Sequence, residues 1–216
     1  MFIGHYALAF AAKKAAPKAS LATLIFAAAW CDLLWPFLLV LGWERVSIHP
    51  GATAFNPLRF DSYPWSHSLL LVLGWSVLIG GLHWKARKDR RAALAIGLLV
   101  LSHWVLDWIS HAPDMPLWPD GPGHGLGLWN HVAATVAVEG SLFALGVGLY
   151  LGATRAASWK GHVSLWTFLA LILAMYAGDA SGSAPPPNVH VLTAFAFLGW
   201  LPPLWGLWIE RTRALA

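Results

Sequence analysis

The sequence predicts an all-α fold, a polytopic transmembrane bundle of about five to six spanning helices with a short helix before them. Of its 216 residues, 58% are hydrophobic and only 11% are charged. A soluble globule of this length needs more polar surface than this composition supplies. Long apolar runs alternate with short segments rich in proline, glycine or charge. No boundary indicates a second domain, so residues 1–216 are expected to form one integral membrane domain.

The predicted helices follow in order from the apolar runs, since a helix needs about 20 mostly apolar residues to cross the hydrocarbon core. A short N-terminal helix is predicted at 2–15. Five clear spans then lie at 20–42, 64–84, 92–111, 130–152 and 163–178. A sixth lies near 189–209, where Pro202 and Pro203 are expected to kink the helix because proline lacks the interior backbone donor.

The distribution of lysine and arginine predicts the orientation of these spans. Twelve of the fourteen basic residues fall in connections on one side, and only Arg45 and Arg59 fall on the other. Positive charge resists translocation, so we expect the basic side and the C-terminus in the cytoplasm. The loops 43–63, 112–129 and 179–188 then face outward. This asymmetry accounts for the net charge of +4 without a nucleic-acid partner.

Ionisable residues nevertheless occur inside the spans and collect near their outer ends. His103, Asp107 and His111 follow one another at intervals of four residues, which places them in one stripe on a helix. The predicted topology brings other polar residues toward the same level or somewhat deeper, namely His5, Asp32, His67, His131 and Glu139. Taken singly, a transmembrane histidine is as often bonded to a neighbouring backbone group as it is functional.

The acids among them need a counter-charge. Asp32, Asp107 and Glu139 together cost roughly 8–10 kcal/mol at mid-membrane, which is comparable with an entire folding free energy. No lysine or arginine lies within the predicted spans. A divalent metal held by carboxylates and neutral imidazoles can supply about 10 kcal/mol or more. Because Cys31 is the single cysteine, the donors suit zinc, with iron or manganese as alternatives.

The order of these residues resembles a known pattern. An early histidine (His5), an aspartate in the next helix (Asp32), a His-Ser pair opening a span (67–68) and a His-x-x-x-Asp pair (His103, Asp107) occur in turn. This order resembles that of the bacterial inner-membrane metal-dependent hydrolases, and it is also similar to zinc-dependent phospholipase C. The resemblance covers residues 1–114. It implies a hydrolase of the bacterial inner membrane but identifies no substrate.

The buried acids and the resemblance together predict a membrane enzyme with one or two transition-metal ions. Its metal site is expected to open toward the outer side. A metal-bound water would attack a phosphate ester of a lipid or lipid-linked molecule. Glu139, or Asp107 if it is not bound to metal, would act as general base. The predicted metal ligands are His5, Asp32, His67, His103 and Asp107, with His111 and His131 as a second set.

Two alternatives stay open at this point. A proton- or cation-coupled transporter or channel would use the same buried His and Asp cluster. The other alternative is a non-catalytic membrane scaffold. The expected partners are membrane lipids and a lipid or lipid-linked substrate, and the sequence does not indicate an oligomeric state.

Overall fold

The computed structural model describes residues 1–182 and 184–216 and confirms the all-α prediction. Within the described residues the α-helices are α1 (Ile3–Ala15), α2 (Leu21–Ala28), α3 (Trp30–Val40), α4 (Pro64–His67), α5 (Leu69–Arg87), α6 (Arg90–Ser110), α7 (Val132–Ala153), α8 (Trp159–Ala180), α9 (Val189–Ala196) and α10 (Leu201–Thr212). Short antiparallel strand pairs join β1 (Arg45–Ile48) to β2 (Leu58–Ser62), β3 (Met115–Pro116) to β4 (Gly123–His124), and β5 (Thr154–Ala156) to β6 (Arg213–Leu215). Single 3-10 turns occupy Leu128–Asn130 and Phe197–Trp200.

The outward surfaces of the long helices are apolar. In the part of the chain that the structure describes, α5, α6, α7, α8 and the combined segment Val189–Thr212 are long and apolar enough to cross a membrane. The bent pair of α2 and α3 makes a sixth span if it counts as one. Large side chains such as Val77, Leu94 and Leu145 are exposed, an arrangement that lipid tolerates and water opposes. These features indicate a membrane protein.

The span predicted at 20–42 is broken in the structure, because the chain bends by 57° between α2 and α3. Ala29 leaves the helical conformation at φ −99° and ψ 5°. The carbonyl of Ala28 accepts a hydrogen bond from His103 Nδ1 on α6 at 2.8 Å. A contact with another helix therefore stabilises the break, which turns the start of α3 toward α6.

The irregularity in the last span lies one turn earlier than predicted. The 3-10 turn at Phe197–Trp200 separates α9 from α10, while Pro202 and Pro203 lie in the first turn of α10. Proline costs little there because the first backbone N–H groups of a helix have no partner within the helix.

The short helix α1 lies inside the bundle, packed against α2, α6, α7 and α8. Phe10 is fully buried and makes edge contacts with the rings of Tyr150 and Phe168. On α7, Gly146 permits the close approach, because a side chain there would overlap the carbonyl of Ala7. This packing buries residues 3–7, 9 and 10 of α1.

The basic connections meet at one end of the bundle, which we call the basic end. Lys18 lies beside the α5–α6 turn around a common cavity. Lys13 pairs with Glu210 of α10 at 2.7 Å, and the β5–β6 pair joins the α7–α8 connection to the C-terminal segment. The β1–β2 hairpin, which carries Arg45 and Arg59, contributes to a cavity at the other end.

Candidate metal centre

The centre begins with a pair on α6 and one residue of α1. His103 and Asp107 lie one turn apart, with His103 Nε2 at 3.0 Å from Asp107 Oδ2. His5 Nε2 lies 3.1 Å from the other oxygen, Asp107 Oδ1. The rings of His5 and His103 stack with their centroids 3.8 Å apart. All three residues are buried, so the two oxygens of one carboxylate contact two different histidines.

Asp32 and His67 complete the cluster from α3 and α4. Asp32 lies in the first turn of α3, directly after the bend. Its Oδ1 is 3.5 Å from His67 Nε2 and 3.6 Å from His103 Nε2. His67 Nε2 is also 3.8 Å from Asp107 Oδ2. His67 is buried, whereas the Asp32 side chain is 54% exposed because it faces a cavity.

These distances fit the donor atoms of a tetrahedral metal site. Ligands at 2.0–2.1 Å from zinc lie about 3.3–3.4 Å from one another, and the measured separations of 3.0, 3.5, 3.6 and 3.8 Å surround that value. Two sets of donors, His5–His103–Asp107 and Asp32–His67–His103, each lie within 4.8 Å of one another. The buried histidine and aspartate groups can therefore hold a metal ion.

The hydrogen bond to Ala28 fixes which nitrogen of His103 faces the centre. Nδ1 donates to the Ala28 carbonyl, so a neutral ring directs the lone pair of Nε2 toward Asp32 and Asp107. This Nε2 is buried and makes no hydrogen bond within residues 1–182 and 184–216. A lone pair that faces two carboxylates is unfavourable unless Nε2 takes up a proton or a metal ion lies between them.

His67 is oriented by two residues that sequence reasoning missed, Glu44 and Ser66. The Ser66 hydroxyl donates to Glu44 Oε2 at 2.7 Å, and the Ser66 amide donates to Glu44 Oε1 at 2.8 Å. Because the hydroxyl has one proton, it accepts from His67 Nδ1 at 2.6 Å. The lone pair of His67 Nε2 then faces Asp32. Burial raises the pKa of Glu44 above its ordinary value.

The second predicted set of ligands is not brought into the cluster. His111 is buried, but its Nδ1 lies 3.1 Å from Asp114 Oδ1, and Tyr63 donates to the same oxygen at 2.7 Å. The reason is that α6 ends at Ser110, so His111 continues in extended conformation and leaves the helical stripe. His131 is exposed where α7 begins. Neither histidine belongs to the two donor sets.

The two predicted general bases already have contacts in the fold. Glu139 is fully buried, and its Oε2 accepts from the amides of Phe2 at 2.8 Å and Gly4 at 3.2 Å. It thereby satisfies backbone donors at the start of α1. Asp107 Oδ1 also accepts from the amino group of Met1. The catalytic roles of Glu139 and Asp107 stay predictions.

A cavity of about 480 Å³ opens onto the cluster. Asp32, His67 and Asp107 line its floor, and much of the wall comes from the β1–β2 hairpin. The described lining includes the aromatic residues Phe2, Trp35, Phe55, Phe60 and Trp129. It contains no lysine or arginine among the residues that the structure describes. The cavity is therefore apolar on its walls and acidic at its floor.

Comparison with known proteins identifies no relative. No protein-family model matches the chain, and neither a curated protein nor a solved structure matches it. The geometry of the centre is therefore the basis for inferring a function.

Proposed function

We propose that this chain is a membrane-embedded metal-dependent hydrolase of the bacterial inner membrane that acts on a phosphate ester of a lipid or lipid-linked molecule at the outer side. The observation that carries the proposal is the proximity of two imidazole nitrogens and two carboxylate oxygens, four of whose separations are 3.0, 3.5, 3.6 and 3.8 Å, beside an apolar cavity. The order of these residues, which resembles membrane hydrolases, supports the same class.

The arrangement favours one ion. His103 contributes to both donor sets, but its Nδ1 is engaged by Ala28, and the single lone pair of Nε2 can bind only one metal. Asp32 and Asp107 supply the negative charge that would face a divalent ion, and Asp107 also pairs with the Met1 amino group. Imidazole and carboxylate donors at these separations suit zinc, and iron and manganese are alternatives.

The four donors would fill a tetrahedral shell, so water would bind the ion as a fifth ligand on the side where Asp32 faces the cavity. Three donors, His67, His103 and Asp107, are buried, while Asp32 faces the cavity. A bound ion would bring the pKa of a water on that side to about 7 and polarise the scissile ester. Catalytic zinc sites keep such an accessible position.

The lining of the cavity favours a lipid ester as the substrate. It also implies that the metal ion would be needed to bind the phosphate of that substrate. Its aromatic walls match acyl chains in polarity. Asp32, Asp107 and Asp179 on the described lining would repel a phosphate, since no lysine or arginine lies there and the Met1 amino group is already paired with Asp107. Metal binding and binding of an anionic substrate should therefore be lost together.

The test uses His67→Ala, with His124→Ala as the matched control because His124 lies exposed in β4. We expect purified protein to carry about one equivalent of transition metal by elemental spectrometry and to hydrolyse phosphoester lipids in a chelator-sensitive way. His67→Ala should lose both properties and still insert into membranes, whereas His124→Ala should retain both. Metal-free wild-type protein with no hydrolysis across a broad lipid panel would rule the hydrolase out.

One observation favours a second candidate, a cation or proton transporter. The break between α2 and α3 lies three residues before Asp32, and discontinuous helices often form ion sites in transporters. In such sites the freed carbonyls bind the ion, whereas here the Ala28 carbonyl accepts from His103. Metal-independent flux in proteoliposomes, without hydrolysis, would support transport instead.

A further inference from the structure

A second polar cavity, of about 710 Å³, lies at the basic end, far along α6 from the candidate metal centre. Its cationic lining consists of Lys18, Arg87, Lys88 and Arg90, with His83 beside them. None of these four cations forms an ion pair within the described part of the chain. The single acid of the lining, Asp89, accepts from the amide of Ala92 at 3.0 Å as the cap of α6. The cavity therefore carries an excess of positive charge.

The turn between α5 and α6 concentrates these cations. Three of the four positions from Arg87 to Arg90 are basic, and Lys88 adopts the left-handed conformation at φ 55°. This conformation is unfavourable for a lysine, and it ends α5 abruptly. The tight turn brings Arg87 and Arg90 to the same cavity.

An apolar groove of about 370 Å³ continues from this cavity along α5 and α6. Its walls are formed by Val77, Trp84, Leu94 and Leu98, and small residues form its floor, namely Gly80, Gly81, Ala93 and Gly97. The absence of a side chain at Gly80 lets the two helices approach closely. A Cβ atom at this position would lie 2.9 Å from the Ala93 carbonyl oxygen. The groove lies between helices whose outward residues are apolar.

Arg90 joins the two spaces, since it lines both the basic cavity and the groove. Its guanidinium carbon lies 5.6 Å from the centroid of the Trp84 ring, which holds the charge where the groove begins. A ligand that fills both spaces needs an anionic group at the helix ends and an apolar chain along the helices. An anionic phospholipid has this order of groups.

We propose that the basic cavity and the groove together bind one anionic phospholipid, with its phosphate among Lys18, Arg87, Lys88 and Arg90 and an acyl chain between α5 and α6. Basic pockets at helix ends recognise anionic headgroups in this way. The site does not depend on the hydrolase proposal. It lies on the same helix as His103 and Asp107, so the bound lipid would stabilise the element that carries half of the metal donors.

The charge requirement is tested by native mass spectrometry of the detergent-purified full chain with phosphatidylglycerol, phosphatidylcholine or inorganic phosphate. We expect preferential retention of phosphatidylglycerol. The triple variant R87Q/K88Q/R90Q should bind it about 100-fold more weakly, since each cation near the surface contributes about fivefold in affinity. The matched control K14Q/R155Q/K160Q removes the same charge from exposed residues outside the cavity and should bind like wild type.

The chain requirement is tested by Gly81→Leu, which fills the groove. A side chain at Gly81 meets no atom within 4 Å, and the same holds for Gly74 on the same helix, which lies outside the groove. We expect Gly81→Leu to weaken phosphatidylglycerol binding and Gly74→Leu to leave it unchanged. Equal binding of the two lipids by wild type, or an unchanged affinity in either test variant, would overturn the proposal. Binding of inorganic phosphate as tightly as the lipid would overturn it too, because the site would then be an anion site without a lipid chain.

Discussion

Two side-chain hydrogen bonds determine which nitrogen of each central histidine faces the candidate centre. His103 Nδ1 is held by a backbone carbonyl, and His67 Nδ1 by the Ser66 hydroxyl. Such outer contacts orient metal ligands and raise their basicity. Ser66 is itself held by Glu44 from the loop that follows α3, so the orientation of His67 depends on a residue 22 positions earlier than Ser66 in the chain.

At this scale we expect Ser66→Ala to weaken metal binding about 10- to 100-fold, because His67 would lose the acceptor that fixes its ring. Ser66→Thr, which keeps the hydroxyl, should bind metal like wild type. Competition with a chromophoric chelator measures the affinity. Ser68→Ala is the matched control, because the neighbouring hydroxyl is buried without a hydrogen bond within the described residues. An affinity of Ser66→Ala equal to that of Ser68→Ala would contradict the orienting role.

The sequence alone predicted part of this arrangement. The four-residue interval between His103 and Asp107 is a local property of a helix, so their common face could be predicted from spacing. The position of His111 could not, because it depends on α6 ending one residue earlier. Glu44 could not be assigned either, since its role arises from a loop folding back onto Ser66. One signal was present: Glu44 is one of only ten acids and lies two residues after a predicted span.

At the scale of elements, tertiary contacts decide the two features that periodicity did not predict. The bend at Ala29 occurs without glycine or proline at that position, while Pro36 lies inside α3 without ending it. The helix α1 was predicted as a helix, but nothing in its sequence indicated that four other helices surround it. Both features depend on partners distant in the chain, which a local pattern does not contain.

Because α1 lies at the centre of the bundle, a larger side chain where α7 contacts it should disturb the fold. Gly146→Leu should destabilise the protein by about 1–3 kcal/mol or more, because the added side chain overlaps the Ala7 backbone. Metal content should fall with it, since His5 on the displaced helix contacts Asp107 and stacks on His103. Gly148→Leu on the same helix meets open space and serves as control. Thermal unfolding in detergent measures both variants, and equal midpoints would show that α1 does not pack against α7 as described.

For the whole molecule, the main asymmetry is between the basic end and the end that carries the candidate centre. The counting of lysine and arginine predicted two groups of connections, and the structure places the basic ones around one end of the bundle. The wall of the cavity was not predicted, because the segment between α3 and α4 has no hydrophobic period and folds as a hairpin through its pairing. Orientation in the membrane stays a prediction of the charge rule.

Reporter fusions test that orientation. A reporter fused after Arg91 should be active as a cytoplasmic marker, and one inserted near Gly121 should be active as an external marker, because the basic connections resist translocation. Activity of both reporters on the same side would remove the basis for an outward-facing centre. A reporter after Arg213 should agree with the one after Arg91, since β5 and β6 pair at the basic end.

The enclosure of α1 also affects the order in which the protein assembles. His5 contacts Asp107 across 102 positions of the chain, and the Phe2 amide contacts Glu139 across 137. Contacts of such separation form slowly, because a long loop must close before they provide any stability. We therefore expect His5 to reach Asp107 only after α7 is in place to hold α1, so that the centre forms late in assembly. An ion bound there would act on the finished bundle and slow its unfolding, without guiding the insertion of the first helices.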